Sequence, residues 1–235
     1  MKNLLILFIL AIAPSLYGQS KFETHFQEGV DYYYSDDYIN AIACFSKAIA
    51  IDPTNEEALN HRGIVYIAME KYQDAISDFN TIIKNGTDLP YTNYNLGLVF
   101  KDLGNLEEAM KNFNKAIEID NEYYLAYTER GSVKQLLFDL KGAIKDFSLA
   151  IEINEMAEDA YFERAITFFY LVEFEKSLQD YNKVIELNPN TAHYYYARGI
   201  CRNRLKDKKG ACEDWSKAGE LGYFDAYELI KKNCY

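Results

Sequence analysis

Apolar residues follow two different rhythms along this chain. From Leu4 to Ala13 they form an unbroken run, LLILFILAIA, with Lys2 the one charge before Lys21. After residue 21 the apolar positions come at helical spacing instead. Phe22, Phe26, Gly29, Val30 and Tyr33 follow i, i+4, i+7, i+8 and i+11. A second set, Ile42, Phe45, Ala48, Ile49 and Ile51, comes after a polar break at Ser35, Asp36 and Asp37. Such spacing lines one face of an α-helix, so the pattern predicts two amphipathic helices joined by a turn. Ser and Asp suit that turn because their side chains bond nearby backbone N–H groups. Asp52-Pro53 predicts the end of the second helix, since proline cannot continue the hydrogen-bond ladder, and Asn188-Pro189 does the same later.

The pair of helices recurs. Small residues stand at Gly29, Gly63, Gly97, Gly131, Ala165 and Gly199, each 34 residues after the last. Twelve residues further on come Ala41, Ala75, Ala109, Ala143, Ser177 and Ala211, then the aromatics Phe45, Phe79, Phe113, Phe147, Tyr181 and Trp215. One helical hairpin cannot bury both its faces, so units of this kind must stack. The period and its residues resemble the tetratricopeptide repeat over residues 22–225. The resemblance implies an all-α fold, a right-handed α-solenoid of six helix-turn-helix units plus a C-terminal capping helix. The units fall at 22–55, 56–89, 90–123, 124–157, 158–191 and 192–225, and the capping helix at about 224–233. The small residue is expected to let the two helices of a unit approach closely. The aromatic is expected to fill space between neighbouring hairpins. In the last helix Ala226, Leu229 and Ile230 share a face that would cover the sixth unit.

Residues 1–20 lie outside this pattern. The run of ten apolar residues is too short to span about 30 Å of hydrocarbon as a helix. A basic start, a short apolar core and then Pro14, Ser15, Gly18 and Ser20 read as a signal peptide, cleaved after Gly18 or Ser20. The remaining chain, 21–235, is expected to be exported, periplasmic or secreted, with no stable membrane insertion after cleavage.

Charge and cysteines narrow the function. Twenty-five Lys and Arg against 36 Asp and Glu give a net charge of −11, a field that repels phosphate backbones and argues against nucleic-acid binding. A basic cluster, Arg198, Arg202, Arg204, Lys206, Lys208 and Lys209, stands out against that balance as a solvated turn or a surface for an acidic partner. His25, His61 and His193 have no metal-ligand spacing, and no nucleophile elbow or phosphate loop occurs, so no catalytic, metal or cofactor residue is nominated and no enzyme activity is expected. Cys212 stands where other units carry Ile42, Ile76, Met110, Ile144 and Leu178, facing the capping helix that holds Cys234. A Cys212–Cys234 disulfide is a candidate in an oxidising compartment; Cys201 is its rival, and reduced buried thiols are the alternative. Arg62, Arg130, Arg164 and Arg198 precede the small residue, and Asp78, Asp146, Asp180 and Asp214 precede the aromatic. They form either an internal ladder of ion pairs or a row of anion contacts; the third unit lacks both, with Leu96 and Asn112.

In the tetratricopeptide family the first helix of each unit lines a concave groove. The resemblance implies a peptide groove here with Glu23, Phe26, Tyr33, Tyr34, Glu57, Tyr91, Tyr94, Leu98, Phe162, Phe169, Tyr170 and Tyr196. Its chaperone-type carboxylate clamp is not carried over, because the Lys and Asn it needs are Phe26 and Val30 in this chain. The expected role is a non-catalytic scaffold that binds a protein or peptide segment in an aromatic groove. The alternative is an assembly factor of an envelope complex, working through its convex face or its ends.

Overall fold

The computed structural model describes residues 21–235. The signal-peptide assignment at residues 1–20 falls outside the described residues. The chain divides into two compact units, the first ending at Ile119 and the second spanning Asp120–Tyr235. Among the described residues the first unit holds α1, helical over 21–34, α2 (Tyr38–Ile51), α3 (Glu56–Ala68), α4 (Tyr72–Lys84), α5 (Pro90–Asp102) and α6 (Leu106–Ile119). The second holds α7 (Tyr124–Leu136), α8 (Leu140–Ile153), α9 (Glu158–Tyr170), α10 (Phe174–Leu187), α11 (Ala192–Arg204), α12 (Lys208–Glu220) and α13 (Ala226–Asn233). No strand occurs among the described residues, and the class is an all-α helical-repeat solenoid. Within each unit consecutive helices pack against each other, and the first helices of adjacent hairpins, α3 with α5 and α7 with α9, also touch.

The small residue and the aromatic meet inside one hairpin. A Cβ placed on Gly63 would lie 2.6 Å from Phe79 Cε1, on Gly97 2.5 Å from Phe113 Cε1, and on Gly131 2.6 Å from Phe147 Cε1. Those rings are fully buried, as is nearly all of Trp215, which lies against Gly199. The expectation that the aromatic fills space between hairpins is therefore revised: its first contact is the bare backbone of its own partner helix. It reaches the next hairpin as well, since Phe45 clusters with Val65 and its ring lies 5.7 Å from His61. The fifth hairpin departs from the glycine pattern. Ala165 replaces glycine there, and Ser177 Oγ donates to the Ala165 carbonyl at 2.8 Å.

The paired Arg and Asp form a ladder within the fold. Arg62 donates to Asp78 through Nε at 2.8 Å and Nη2 at 2.7 Å, and Nη1 donates to Ser46 on the preceding hairpin at 2.9 Å. Arg164 repeats this with Asp180 and Ser148, and Arg198 with Asp214 and Asn182. Arg130 makes the same two-pronged contact with Asp146, which also receives Lys134 Nζ at 2.7 Å. The planar guanidinium fits a carboxylate in two parallel bonds, so each Arg joins two helices, and Arg62, Arg164 and Arg198 reach a second hairpin through the third nitrogen. Each also lies over a tyrosine ring, Tyr66, Tyr127, Tyr161 or Tyr195. In the first hairpin Glu28 and Cys44 occupy these positions, and the thiol donates to Glu28 Oε2 at 3.8 Å. These arginines are engaged inside the fold, which removes the reading of them as an anion-binding row.

One turn recurs between the two helices of every hairpin. Asp36, Glu70, Gly104, Phe138, Val172 and Lys206 all have φ between 58° and 74°, the left-handed region. The next residue's N–H returns to the carbonyl five residues earlier, as Asp139 N to Lys134 O at 2.9 Å and Glu173 N to Phe168 O at 2.9 Å. That is the Schellman closure, which normally favours glycine. Only the third hairpin has glycine there. Val172 pays a steric penalty, because a β-branched side chain crowds the backbone at positive φ.

At the C-terminal end α13 lies against α12. Ala226 is buried, and Leu229 and Ile230 pack on a cluster of Ala211, Trp215 and Ala218. Gly219 admits the Tyr227 ring, whose Cζ would be 2.7 Å from a Cβ. Cys212 and Cys234 are joined by a disulfide with Cα atoms 5.9 Å apart. Cys201 is a buried thiol that donates to the Phe174 carbonyl at 3.2 Å.

Three stability changes follow. Gly97→Leu drives a branched side chain into Phe113 and lowers unfolding free energy by at least about 1–3 kcal/mol in urea titrations; unchanged stability contradicts the glycine–ring contact. Val172→Gly relieves the left-handed turn and raises stability by about 0.5–1 kcal/mol, after allowing for glycine's greater unfolded-state entropy, and a loss of stability contradicts the strain assigned there. Replacing Cys212 and Cys234 together with Ser opens a loop with a sequence separation of 22 and costs about 3 kcal/mol in the chain-entropy account. Non-reducing peptide mapping that finds both thiols free in protein made in an oxidising compartment contradicts the linkage.

Candidate functional site

The first helices of the hairpins carry the aromatic side chains, and each unit presents its own surface. In the first unit Val30, Tyr33 and Tyr34 from α1 meet His61 and Ile64 from α3 around a depression of about 200 Å³. Tyr34 is 81% exposed and its ring stands 5.6 Å from Tyr33. Phe26 is set deeper than a groove position requires. It stacks on Phe22, lies 5.7 Å from Phe45 and makes a T-shaped contact with His61 at 5.1 Å. Glu23 and Glu57 are exposed beside this surface. On α5 the ring of Tyr94 lies 6.0 Å from the buried Phe113, and Tyr91 and Leu98 are half-buried. Burial, helped by the nearby Glu56 and Glu57, pushes the Tyr91 phenol above its ordinary value, so it stays neutral and able to donate.

The second unit brings its predicted residues closer together. Phe162, Phe169, Tyr170 and Tyr196 surround a depression of about 230 Å³ with Ile166 and Ile200. His193 joins them, with its ring 5.4 Å from Phe162 in an edge-on contact. Phe162 is anchored from behind by Tyr181 and Tyr194, and Tyr196 by Tyr223 at 4.6 Å. Tyr194 is held in turn by donating its hydroxyl to Glu158 Oε1. Ile166 and Tyr170 also line a second, wider depression of about 590 Å³ with Leu136, Phe138, Leu140 and Glu163. The two depressions share a wall, so the apolar surface runs continuously from Tyr196 to Phe138.

Several lining residues lie outside the set expected from sequence. His61 and His193 line the two aromatic depressions, although nothing in their spacing marked them. Leu136 and Phe138 line the wider depression and are exposed by 57% and 88%. Leu136 ends α7 and Phe138 sits at the left-handed turn that follows, where helical periodicity stops and gave no signal. The polar side chains on α7 bond within the fold. Thr128 is buried and donates to the Tyr124 carbonyl, Ser132 donates to the Thr128 carbonyl, and Gln135 donates to Thr167. Among the described residues no group of three or more His, Cys, Asp and Glu is placed to hold a metal ion, and no helix is long and apolar enough to cross a membrane. The surface offers apolar contact, ring faces and a few phenol and imidazole groups, which suits binding of a side chain or a short chain segment.

Comparison with known proteins agrees with this architecture. A model described as TPR repeat matches residues 29–70, and the tetratricopeptide repeat model matches residues 90–123 and 158–191. A search of curated proteins finds no match. Among solved structures PilF of Pseudomonas aeruginosa superposes with a TM-score of 0.78 at 16% identity, covering 92% of this chain and 99% of that one. PilW, described as a widely conserved type IV pilus biogenesis factor, gives 0.79 at 20% identity over 89% and 97%. YrrB, described as a TPR protein with an unusual peptide-binding site, gives 0.54 at 23% identity over 70% and 85%. At these identities the likeness concerns the fold. Tetratricopeptide repeats mediate protein–protein interaction and are in general non-catalytic scaffolds. With its 34-residue period, its glycine–aromatic hairpins and these matches, the chain belongs to the tetratricopeptide repeat family.

Proposed function

We propose that the protein is a non-catalytic, exported scaffold whose first-helix aromatic surface binds an extended or short helical segment of a protein partner. The observation that carries this reading is the continuous apolar surface of the second unit. Its rings are held by a second layer of rings, while Tyr170 remains 67% exposed. Pre-positioned aromatics give large contact area at small entropic cost and dominate binding energy where they fill or form pockets. The depression around Val30, Tyr33 and Tyr34 offers the first unit a smaller site of the same kind. Glu23 and Glu57 beside it favour a segment that carries basic residues along with its apolar ones.

Export is supported by the Lys2 start and the Leu4–Ala13 run. The Cys212–Cys234 disulfide suits an oxidising compartment outside the cytosol. The likeness to PilF and PilW gives a motive for a second reading, an assembly factor of an envelope complex acting through its other faces or its ends.

Tyr34 and Tyr170 separate the two readings because both are mostly exposed, whereas Phe169 packs 5.2 Å from Phe174 and its loss would disturb the fold. Once a partner is identified by affinity capture, Tyr170→Ala weakens its binding about tenfold or more in calorimetry, and Tyr34→Ala weakens it where the first unit takes part. Circular dichroism stays unchanged in both. Unaltered affinity in the two variants rejects the aromatic surface and leaves the assembly reading.

A further inference from the structure

Charge is divided unevenly along the chain. The described residues before Arg198 carry 15 Lys and Arg against 30 Asp and Glu, whereas residues 198–235 carry nine against six. Folding concentrates that excess. Arg198 and Arg202 turn inward to Asp214, with Arg202 Nη1 3.1 Å from its carboxylate. Arg204, Lys206, Lys208, Lys231 and Lys232 remain exposed, with no ion-pair partner among the described residues. Arg204 and Lys206 lie at the α11–α12 turn, and Lys208 and Lys209 open α12. The chain then runs back along α13, from Tyr227 against Gly219 to Cys234 bonded to Cys212, which sets Lys231 and Lys232 beside the middle of α12. A shallow depression of about 760 Å³ opens there, lined by Lys208, Lys209, Lys217 and both disulfide cysteines; on its wall Lys209 meets Glu213 at 4.0 Å and Lys217 meets Glu220 at 3.5 Å, while Lys208 has no such partner among the described residues.

We propose that this disulfide-closed end of the second unit is a binding site for an acidic, extended protein segment, separate from the aromatic surface. Lys208 on the rim of the depression, with Arg204 and Lys206 on the turn just before it, leaves ammonium and guanidinium charge without a partner carboxylate among the described residues, and such groups call for carboxylates. Two features favour a chain segment over an anionic bilayer. Glu213 and Glu220 would repel a uniform sheet of negative charge but accommodate a segment whose carboxylates alternate with neutral residues. The exposed Phe224, which could wedge into lipid, lies beyond the far end of α12, about 20 Å away at 1.5 Å per helical residue. Lysine stems and the disulfide supply apolar contact between the charges, and Tyr235, 96% exposed next to Cys234, adds a ring. Because the disulfide holds α13 in place, the site is complete only in oxidised protein.

The probe is a rhodamine-labelled octapeptide of alternating Asp and Val, titrated with the oxidised protein and read by fluorescence anisotropy. Saturable binding at low ionic strength is expected, weakening about tenfold as salt is raised through the physiological range. Lys208→Glu with Lys209→Glu weakens it about tenfold or more, while the same reversal at the exposed Lys141 and Lys145 leaves it unchanged. Reduction of the disulfide lowers affinity, with circular dichroism reporting whether the repeats stay folded. Because the lysine reversals touch only exposed side chains, their outcome does not depend on the stability of the reduced protein. Absence of peptide binding at low salt overturns the proposal, as does binding that ignores the lysine reversal. Sedimentation with phosphatidylserine-containing vesicles in place of peptide binding also overturns it, and assigns the cations to a membrane surface.

Discussion

The structure depends on how closely two helices of one hairpin approach. A ring from the second helix rests on the backbone of the first, and only a residue with almost no side chain permits it, as the 2.5 Å spacing from Phe113 to a Cβ on Gly97 makes plain. That single contact sets the spacing within a hairpin, and the ring's outer face then meets the following hairpin, as Phe45 meets Val65 and His61. Within a unit, burial of the ring therefore couples a hairpin to the one that follows it. Such coupling is what makes repeat arrays quasi-one-dimensional, with stability summed from units and interfaces.

The Arg–Asp ladder adds geometry to this apolar spacing. Its carboxylates are nearly inaccessible, Asp146 at 1% and Asp214 at 3%, and a charge so placed has to be matched by two-pronged donors. Charge pairing of this quality selects one register between the two helices. It also divides labour. Internal arginines are saturated, so recognition falls to aromatic surfaces and to the surplus cations near α13. The third hairpin, with Leu96 and Asn112, dispenses with the pair and buries a leucine instead, which shows that the apolar contact is sufficient without it.

The candidate sites grow from the same construction. Aromatic residues at first-helix positions are held by rings behind them, Phe162 by Tyr181 and Tyr194, so they present fixed faces. The left-handed turn closes each hairpin with backbone bonds alone and thereby tolerates almost any residue, from Asp36 to Val172. Where that residue is Phe138 or Val172, the fold displays an apolar side chain that no core requires. Contiguous exposed apolar surface of this kind on a well-ordered scaffold is characteristic of recognition surfaces.

Sequence alone determined the repeat, because a 34-residue period of glycine, alanine and aromatic residues reflects a contact made within each hairpin and copied along the chain. The pairing of Arg62 with Asp78 was legible as a matched register, though the same residues also admitted an external anion row. Tertiary structure alone chose between them, since the choice rests on which way the guanidinium points. It also decided that Phe26 sinks toward Phe45, that His61 and His193 border the aromatic depressions, and that Phe138 stands outward. Those outcomes depend on contacts between residues of different hairpins and on backbone handedness at a turn, neither of which leaves a period in the sequence. The joining of Cys212 to Cys234, and with it the gathering of lysines from both α12 and α13, likewise waited on the direction in which the last helix folds back.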